Sequence, residues 1–193
     1  MIVEENQNSF IRKEMQSKTI KKIILTGPES TGKTTLAQHL AEHFDTIWVP
    51  EYARKHLSES NREYTEKDLL KIAKGQVDLE KKMQKKANQF LFCDTSLLVL
   101  KIWSEYKYQQ CHPYILEELE ARKNDFFILC GIDVPWEFDI LREHPNNREE
   151  LYHIYKTELF SLNANFMETS GNQLHRLHKT INSLNHIFPF IKR

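Results

Sequence analysis

The 193-residue sequence has only three cysteines, Cys93, Cys111 and Cys130. The number is odd and the spacing suits no metal, so a disulfide framework or zinc scaffold is excluded. Two of them sit in apolar runs, and reduced thiols in a cytoplasmic protein are expected. No apolar run approaches the roughly 20 residues of a membrane helix. The start, Met1-Ile2-Val3-Glu4-Glu5-Asn6, lacks the basic-then-apolar order of a secretory signal. Net charge is missing too, because Lys+Arg and Asp+Glu both number 27. There is thus no basic field to gather nucleic acid, and neither nucleic acid nor membrane is expected as a partner. Glycine (five) and proline (six) are sparse and form no linker. Repeats and low-complexity tracts are absent. A chain of this length builds one domain, or one with a lid, around a sizeable core.

What is present begins with Gly27-Pro28-Glu29-Ser30-Thr31-Gly32-Lys33-Thr34. It fits G-x-x-x-x-G-K-[ST], and its flanks fit the context that pattern requires. Before it, Ile20 to Thr26 reads as a buried strand. After it, Leu36, Leu40 and Phe44, with Ala37 and Ala41, recur at helical spacing. The glycines permit close backbone approach, successive N–H groups cradle phosphates, and the helix start adds its dipole. Gly27 to Thr35 are therefore assigned to ATP. Lys33 reaches the β- and γ-phosphates, and Thr34 holds Mg²⁺.

Four further strand-like runs follow: 46–49, 89–94, 125–130 and 165–169. Each is followed by helical pattern: a helix from Thr65 to about residue 87, another over Leu97 to Tyr108, a shorter one after Pro113, one from Glu149 to about Leu162, and a last one opened by Ser170-Gly171. This predicts an α/β fold, a five-stranded parallel sheet with helices on both faces and an arginine-bearing lid, of the P-loop NTPase kinase type. Residues 1–18 read as a tail, 19–193 as the kinase domain, and about 136–150 as its lid. The clustered lysines of 81–86 read as a solvated helix face. The pairs His39/His43 and His175/His178 read as surface or packing residues.

Ligands of open parallel sheets bind beyond the carboxyl ends of the strands. Glu51, Tyr52 and Arg54 follow the second strand there and are assigned to the acceptor. Asp94 ends the third strand, where an acid supports Mg²⁺, or else caps the next helix. Arg142 and Arg148 supply positive charge to a transferring phosphoryl group. Either Glu51 or Asp94 orients the acceptor hydroxyl or takes its proton. Ser170 and Gly171 lie where backbone approaches adenine.

With these pieces placed, the chain resembles the kinase domain of the NadR family, NAD-biosynthesis proteins that phosphorylate nicotinamide riboside. The likeness covers roughly residues 20–190. It rests on the loop with glutamate in third place, on Glu51-Tyr52-Ala53-Arg54, on Phe92-Cys93-Asp94-Thr95, and on Trp136 through Asp139 to Leu141-Arg142. It implies a P-loop kinase using ATP and Mg²⁺ and a small nucleoside-like acceptor, with nicotinamide riboside foremost. Only about twenty residues precede the first strand, so the family's separate adenylyltransferase domain is not expected. The family pattern Trp-Glu-Tyr-Gly-Arg is replaced by Pro50 and Ala53 at its first and fourth places, and Asp-Thr-Asp by Asp94-Thr95-Ser96. Recognition directed at the ribose is therefore expected to dominate over recognition of the base.

Overall fold

The computed structural model describes residues 20–58, 64–139, 142 and 146–189. The tail read over 1–18 and the lid positions 140, 141 and 143–145 lie outside them. Five strands form one sheet: β1 (Lys21–Thr26), β2 (Ile47–Val49), β3 (Phe90–Asp94), β4 (Phe126–Cys130) and β5 (Asn165–Thr169). Their order is β2-β3-β1-β4-β5, and every pair is parallel. Inner strands of a parallel sheet are covered on both faces and need apolar side chains throughout. Accordingly β3 and β4 are buried along their whole length.

Side chains alternate between the faces with the two-residue period of a strand. Ile23, Leu25, Phe92 and Ile128 face α1 (Lys33–His43) and the last described helix, which meet them with Leu36, Leu40, Ile181 and Leu184. Ile24, Leu91, Cys93, Phe127 and Leu129 face the opposite layer. That layer holds α3 (Glu66–Gln84), α4 (Leu97–Tyr108), α5 (Pro113–Glu120) and α6 (Arg148–Ser161). A short α2 (Tyr52–Ser58) leads into it, and α7 (Gln173–Ile187) closes the described chain. β1 and β3 are hydrogen-bonded neighbours, yet the helices that follow them pack on opposite faces. Their carboxyl ends, where Leu25 pairs with Asp94, thus open a crevice of the kind that receives ligands.

Some boundaries differ from those read in the sequence. α3 stops at Gln84, where Lys86 N bonds Met83 O, three residues short of the apolar stripe's end. α7 begins at Gln173 with Asn172 as its cap, accepting from His175 N at 2.9 Å. Gly171 holds φ at 95°, a left-handed value that keeps 170–171 out of the helix. At the amino-terminal end of the sheet, the buried Glu80 is paired with Lys22 at 3.1 Å and bonded by Gln76 at 3.3 Å, with Arg122 nearby. A buried carboxylate requires such company.

Candidate active site

The loop after β1 wraps as its residue types dictate. Gly27 has φ of 129°, and a Cβ there would lie 2.8 Å from the Cys130 carbonyl oxygen, so both conformation and space demand glycine. The Thr31 hydroxyl, buried, donates to Pro28 O at 2.8 Å and fixes the turn. Lys33 opens α1, and its ammonium donates to Gly27 O at 3.0 Å and Pro28 O at 2.6 Å. No side chain caps α1 and no acid stands in its first turn. Its amino-terminal N–H groups and dipole are therefore available to an anion.

Next to the loop, Thr34 Oγ1 donates to Asp94 Oδ2 at 2.5 Å. The other oxygen, Oδ1, is buried without a hydrogen-bond partner. The cap of α4 is Ser96, which accepts from Leu98 N at 3.3 Å, so Asp94 is not spent on capping. Burial pushes the Asp94 carboxyl up, against the Thr34 hydrogen bond and the charges of Lys33 and Arg54. A hydroxyl and an orphaned buried carboxylate oxygen are hard oxygen donors, and they fit Mg²⁺ that keeps phosphate and water as its other ligands. Glu51, just past β2, is also pushed up, first by burial and then by the charge of Asp94. Two carboxylates thus face one cavity of about 670 Å³.

The segment after β4 lies over the loop. The Ser30 hydroxyl donates to Pro135 O at 3.3 Å and accepts from Glu137 N at 2.9 Å. Arg142 Nη1 lies 3.3 Å from the same hydroxyl, and Trp136 Nε1 donates to Glu29 Oε1 at 3.4 Å. Arg54 and Asp139 form an ion pair of 2.8 Å between α2 and this segment.

The structure brings together most of the residues singled out in the sequence. The loop 27–35, Glu51, Arg54, Asp94, Arg142 and Gly171 all line the cavity. Three do not. The Tyr52 ring packs where a Cβ on Gly75 would sit, 2.2 Å from its Cε1, and so secures α2 to α3. Ser170 is exposed and outside the lining. Arg148 is the first residue of α6, and its Nη2 donates to the carbonyls of Ser30, Ile132 and Val134 at 2.8–3.0 Å. It binds the lid to the loop.

Other lining residues carry no local motif. Arg176, 3% exposed, is in the first turn of α7. Its guanidinium donates to Gly171 O at 2.8 Å, Thr31 O at 2.7 Å and Gly131 O at 3.0 Å, and pairs with Asp133 at 2.5 Å. One side chain thereby joins the phosphate loop to the loops after β4 and β5. The lining also holds apolar side chains, Val99 and Trp103 from α4 and Leu151 and Tyr155 from α6. Only the helical stripes of the sequence hinted at these, and a stripe does not distinguish a packed face from a cavity wall. Among the described residues no cluster of three or more His, Cys, Asp or Glu side chains could hold a metal by itself, and no helix is long and apolar enough to cross a membrane.

Comparison with known proteins agrees with this geometry. A family model described as an AAA domain matches residues 22–176. The trifunctional NAD biosynthesis/regulator protein NadR of Salmonella typhimurium is 28% identical over 137 residues, which cover 69% of this chain and 33% of that protein. NadR of Escherichia coli matches over the same spans. The chain therefore spans about a third of the length of these curated relatives. A solved NadR structure in complex with NR superposes with a TM-score of 0.68 at 21% identity, covering 90% of this chain and 53% of that one. Deoxyadenosine kinase from M. mycoides with bound dATP follows at 0.51 and 14%, covering 86% and 99%. The fold is that of the P-loop kinases.

Proposed function

The chain belongs to the AAA domain family, and from that premise we propose that it is an ATP-dependent kinase acting on a hydroxyl of a small nucleoside-like molecule, first of all nicotinamide riboside, giving nicotinamide mononucleotide. The observation that carries the reading is the meeting of three strand ends on one cavity. They are the phosphate loop after β1, Glu51 after β2 and Asp94 at the end of β3. The similarity to NadR, one of whose solved structures holds NR, supports the choice of acceptor.

In this reading the loop amides and Lys33 hold the β- and γ-phosphates of ATP. Thr34 and Asp94 would hold Mg²⁺, which would neutralise charge developing on the phosphates. Asp94 is engaged there, so Glu51 receives the acceptor hydroxyl. Burial, which raises the Glu51 carboxyl, also brings it nearer the basicity needed to take that proton. The hydroxyl oxygen then bonds the γ-phosphorus in line as the bond to the β-phosphate oxygen breaks and ADP leaves. A loose transition state asks chiefly for this alignment. Arg142, beside Ser30 of the loop, supplies charge to the transferring group, and Arg148 keeps the lid in place to do so.

The test is ATP consumption by purified protein with a panel of ribosides, thiamine and pantetheine-type alcohols, scored by kcat/KM. Nicotinamide riboside is expected to rank first, with other ribosides tolerated. Turnover of a non-riboside alcohol and no riboside would transfer the assignment to another small-molecule kinase. ATP hydrolysis indifferent to every acceptor would point to a nucleotide-dependent switch.

A further inference from the structure

Glu51, which receives the acceptor hydroxyl in the reading above, has both chain neighbours fixed. Pro50 before it has φ locked by its ring. Tyr52 after it, the first residue of α2, is seated twice on α3. Its ring fills the space over Gly75, where a Cβ would lie 2.2 Å from Cε1 and 2.3 Å from Cζ. Its N–H donates to Gln76 Oε1 at 2.9 Å. The first N–H groups of a helix have no partner inside it, so this one is satisfied from outside. Gln76 is 2% exposed and stands outside the cavity lining. A polar side chain so buried needs partners for both ends of its amide. The other end, Nε2, donates to Glu80 Oε1 at 3.3 Å, and Glu80 Oε2 receives Lys22 Nζ at 3.1 Å with Arg122 Nε 3.7 Å away. An amide can be turned end for end, but a carboxylate only accepts. Glu80 therefore faces the NH₂ group and leaves the Gln76 oxygen toward Tyr52. A chain of contacts thus runs from the charged cluster at the amino-terminal end of the sheet to the residue beside Glu51.

We propose that Gln76 is a positioning residue for the transfer: oriented by Glu80, it holds the Tyr52 N–H and so aims the Glu51 carboxylate at the acceptor hydroxyl. This rests on the kinase reading of Glu51. It adds a residue that acts from outside the cavity, through the start of α2. Removing the Gln76 oxygen leaves a part-buried N–H without its acceptor, which costs free energy until another oxygen takes its place. The Glu51 carboxylate belongs to the adjoining residue and can turn to that N–H, as polar side chains beside helix starts do. A carboxylate turned onto the backbone is no longer aligned for the acceptor, and a misplacement of about 1 Å is enough to slow the reaction.

The experiment measures kcat and KM for ATP and nicotinamide riboside in the full chain carrying Gln76→Met, Gly75→Ala or Glu51→Gln, and in the third combined with each of the first two. Met keeps the length and packing of Gln76 without its amide. Gly75→Ala displaces the Tyr52 ring instead, so Tyr52 is disturbed by two separate routes. Urea unfolding of every variant ensures that the rates refer to folded protein, and if one of the two fails to fold the other carries the test. Gln76→Met and Gly75→Ala should each lower kcat about 10-fold, with KM for ATP within about 2-fold of wild type. Glu51→Gln should lower kcat about 10²-fold. In the Glu51→Gln background the other two substitutions should cost no more than about 2-fold, because the carboxylate they misplace is already gone. A residue with a merely structural role would add its full loss in either background. Additive losses, or an unchanged kcat in folded Gln76→Met and Gly75→Ala, overturn this inference and leave the kinase reading standing. A wild type that transfers phosphoryl to no riboside overturns both.

Discussion

The two ends of the cavity are made of different materials. The donor end is mostly backbone. Its loop is shaped by Gly27, closed by Thr31 on a carbonyl, and held by the guanidiniums of Arg176 and Arg148, which between them bond six carbonyl oxygens of residues 30, 31, 131, 132, 134 and 171. The wall supplied by α4 and α6 is side chain, with the apolar and aromatic groups of Val99, Trp103, Leu151 and Tyr155. Backbone groups are the same whatever the sequence, so a surface made from them recognises what all nucleoside triphosphates share. Side chains differ, so a surface made from them discriminates.

The comparison is sharpened by variants that should affect one end and spare the other. The largest effect is expected from Lys33→Ala. Loss of a positioned charge on the transferring group lowers kcat about 10³-fold. Lys33 bonds only its own loop, so the melting temperature should hold, and so should calorimetric affinity for nicotinamide riboside. A parallel collapse of acceptor affinity would mean that the two ends are one surface.

Next in size is Arg176→Ala. It leaves three carbonyls without their donor and Asp133 Oδ1 without its cation, and should cost about 3 kcal/mol in urea unfolding. In the folded fraction KM for ATP should rise while KM for the acceptor stays put. Arg176→Lys should not rescue it, because one ammonium cannot span a fork of four partners. Equal damage to both KM values would break the division.

The smallest stability effect is expected where the ends meet. Burial raises the Asp94 carboxyl, so the folded protein binds that proton more tightly than the unfolded chain does. Its ionisation therefore opposes folding. The opposition begins as pH rises past the unfolded carboxyl's value of about 3.9 and is complete above the raised one. Asp94→Asn removes it and leaves an oxygen for Thr34 to donate to. At pH 7 the urea midpoint of the variant should exceed that of wild type, and near pH 4 the gap should close. A gap that widens on acidification would contradict the burial argument. The same variant should lose most of its Mg²⁺-dependent turnover, checked by titrating the ion against rate.

The unequal construction of the two ends also explains what could be read in advance. Five strands, their parallel arrangement and the phosphate loop were legible because buried strands and glycine-bearing turns impose local residue types. Asp94 was legible because it ends such a strand. Arg176 was not, since its partners are residues 31, 131, 133 and 171, brought together only by the order β2-β3-β1-β4-β5. Trp103 and Tyr155 sit on apolar stripes that periodicity reports faithfully, but periodicity does not say whether a stripe meets another helix or a void. Tyr52 shows the converse limit. The rim position after β2 suggested an acceptor contact, and a glycine 23 residues further on gave its ring somewhere else to pack.

The paired i, i+4 residues of α4 and α6 have a consequence for how such a protein changes over generations. Four codons on two helices write the part of the apolar lining that comes from α4 and α6. On the kinase reading proposed above, substitutions there would alter which molecule is accepted without disturbing the loop, the Thr34 and Asp94 oxygens or the strand order. A duplicated gene could acquire a new acceptor through a few single steps, each intermediate still folded and still able to hold ATP. Changes at the donor end have no such freedom, because a lost guanidinium there releases several backbone groups together. Selection would then be expected to leave the phosphate loop and the arginines that hold it, Arg148 and Arg176, nearly still while the cavity-lining positions of α4 and α6 drift.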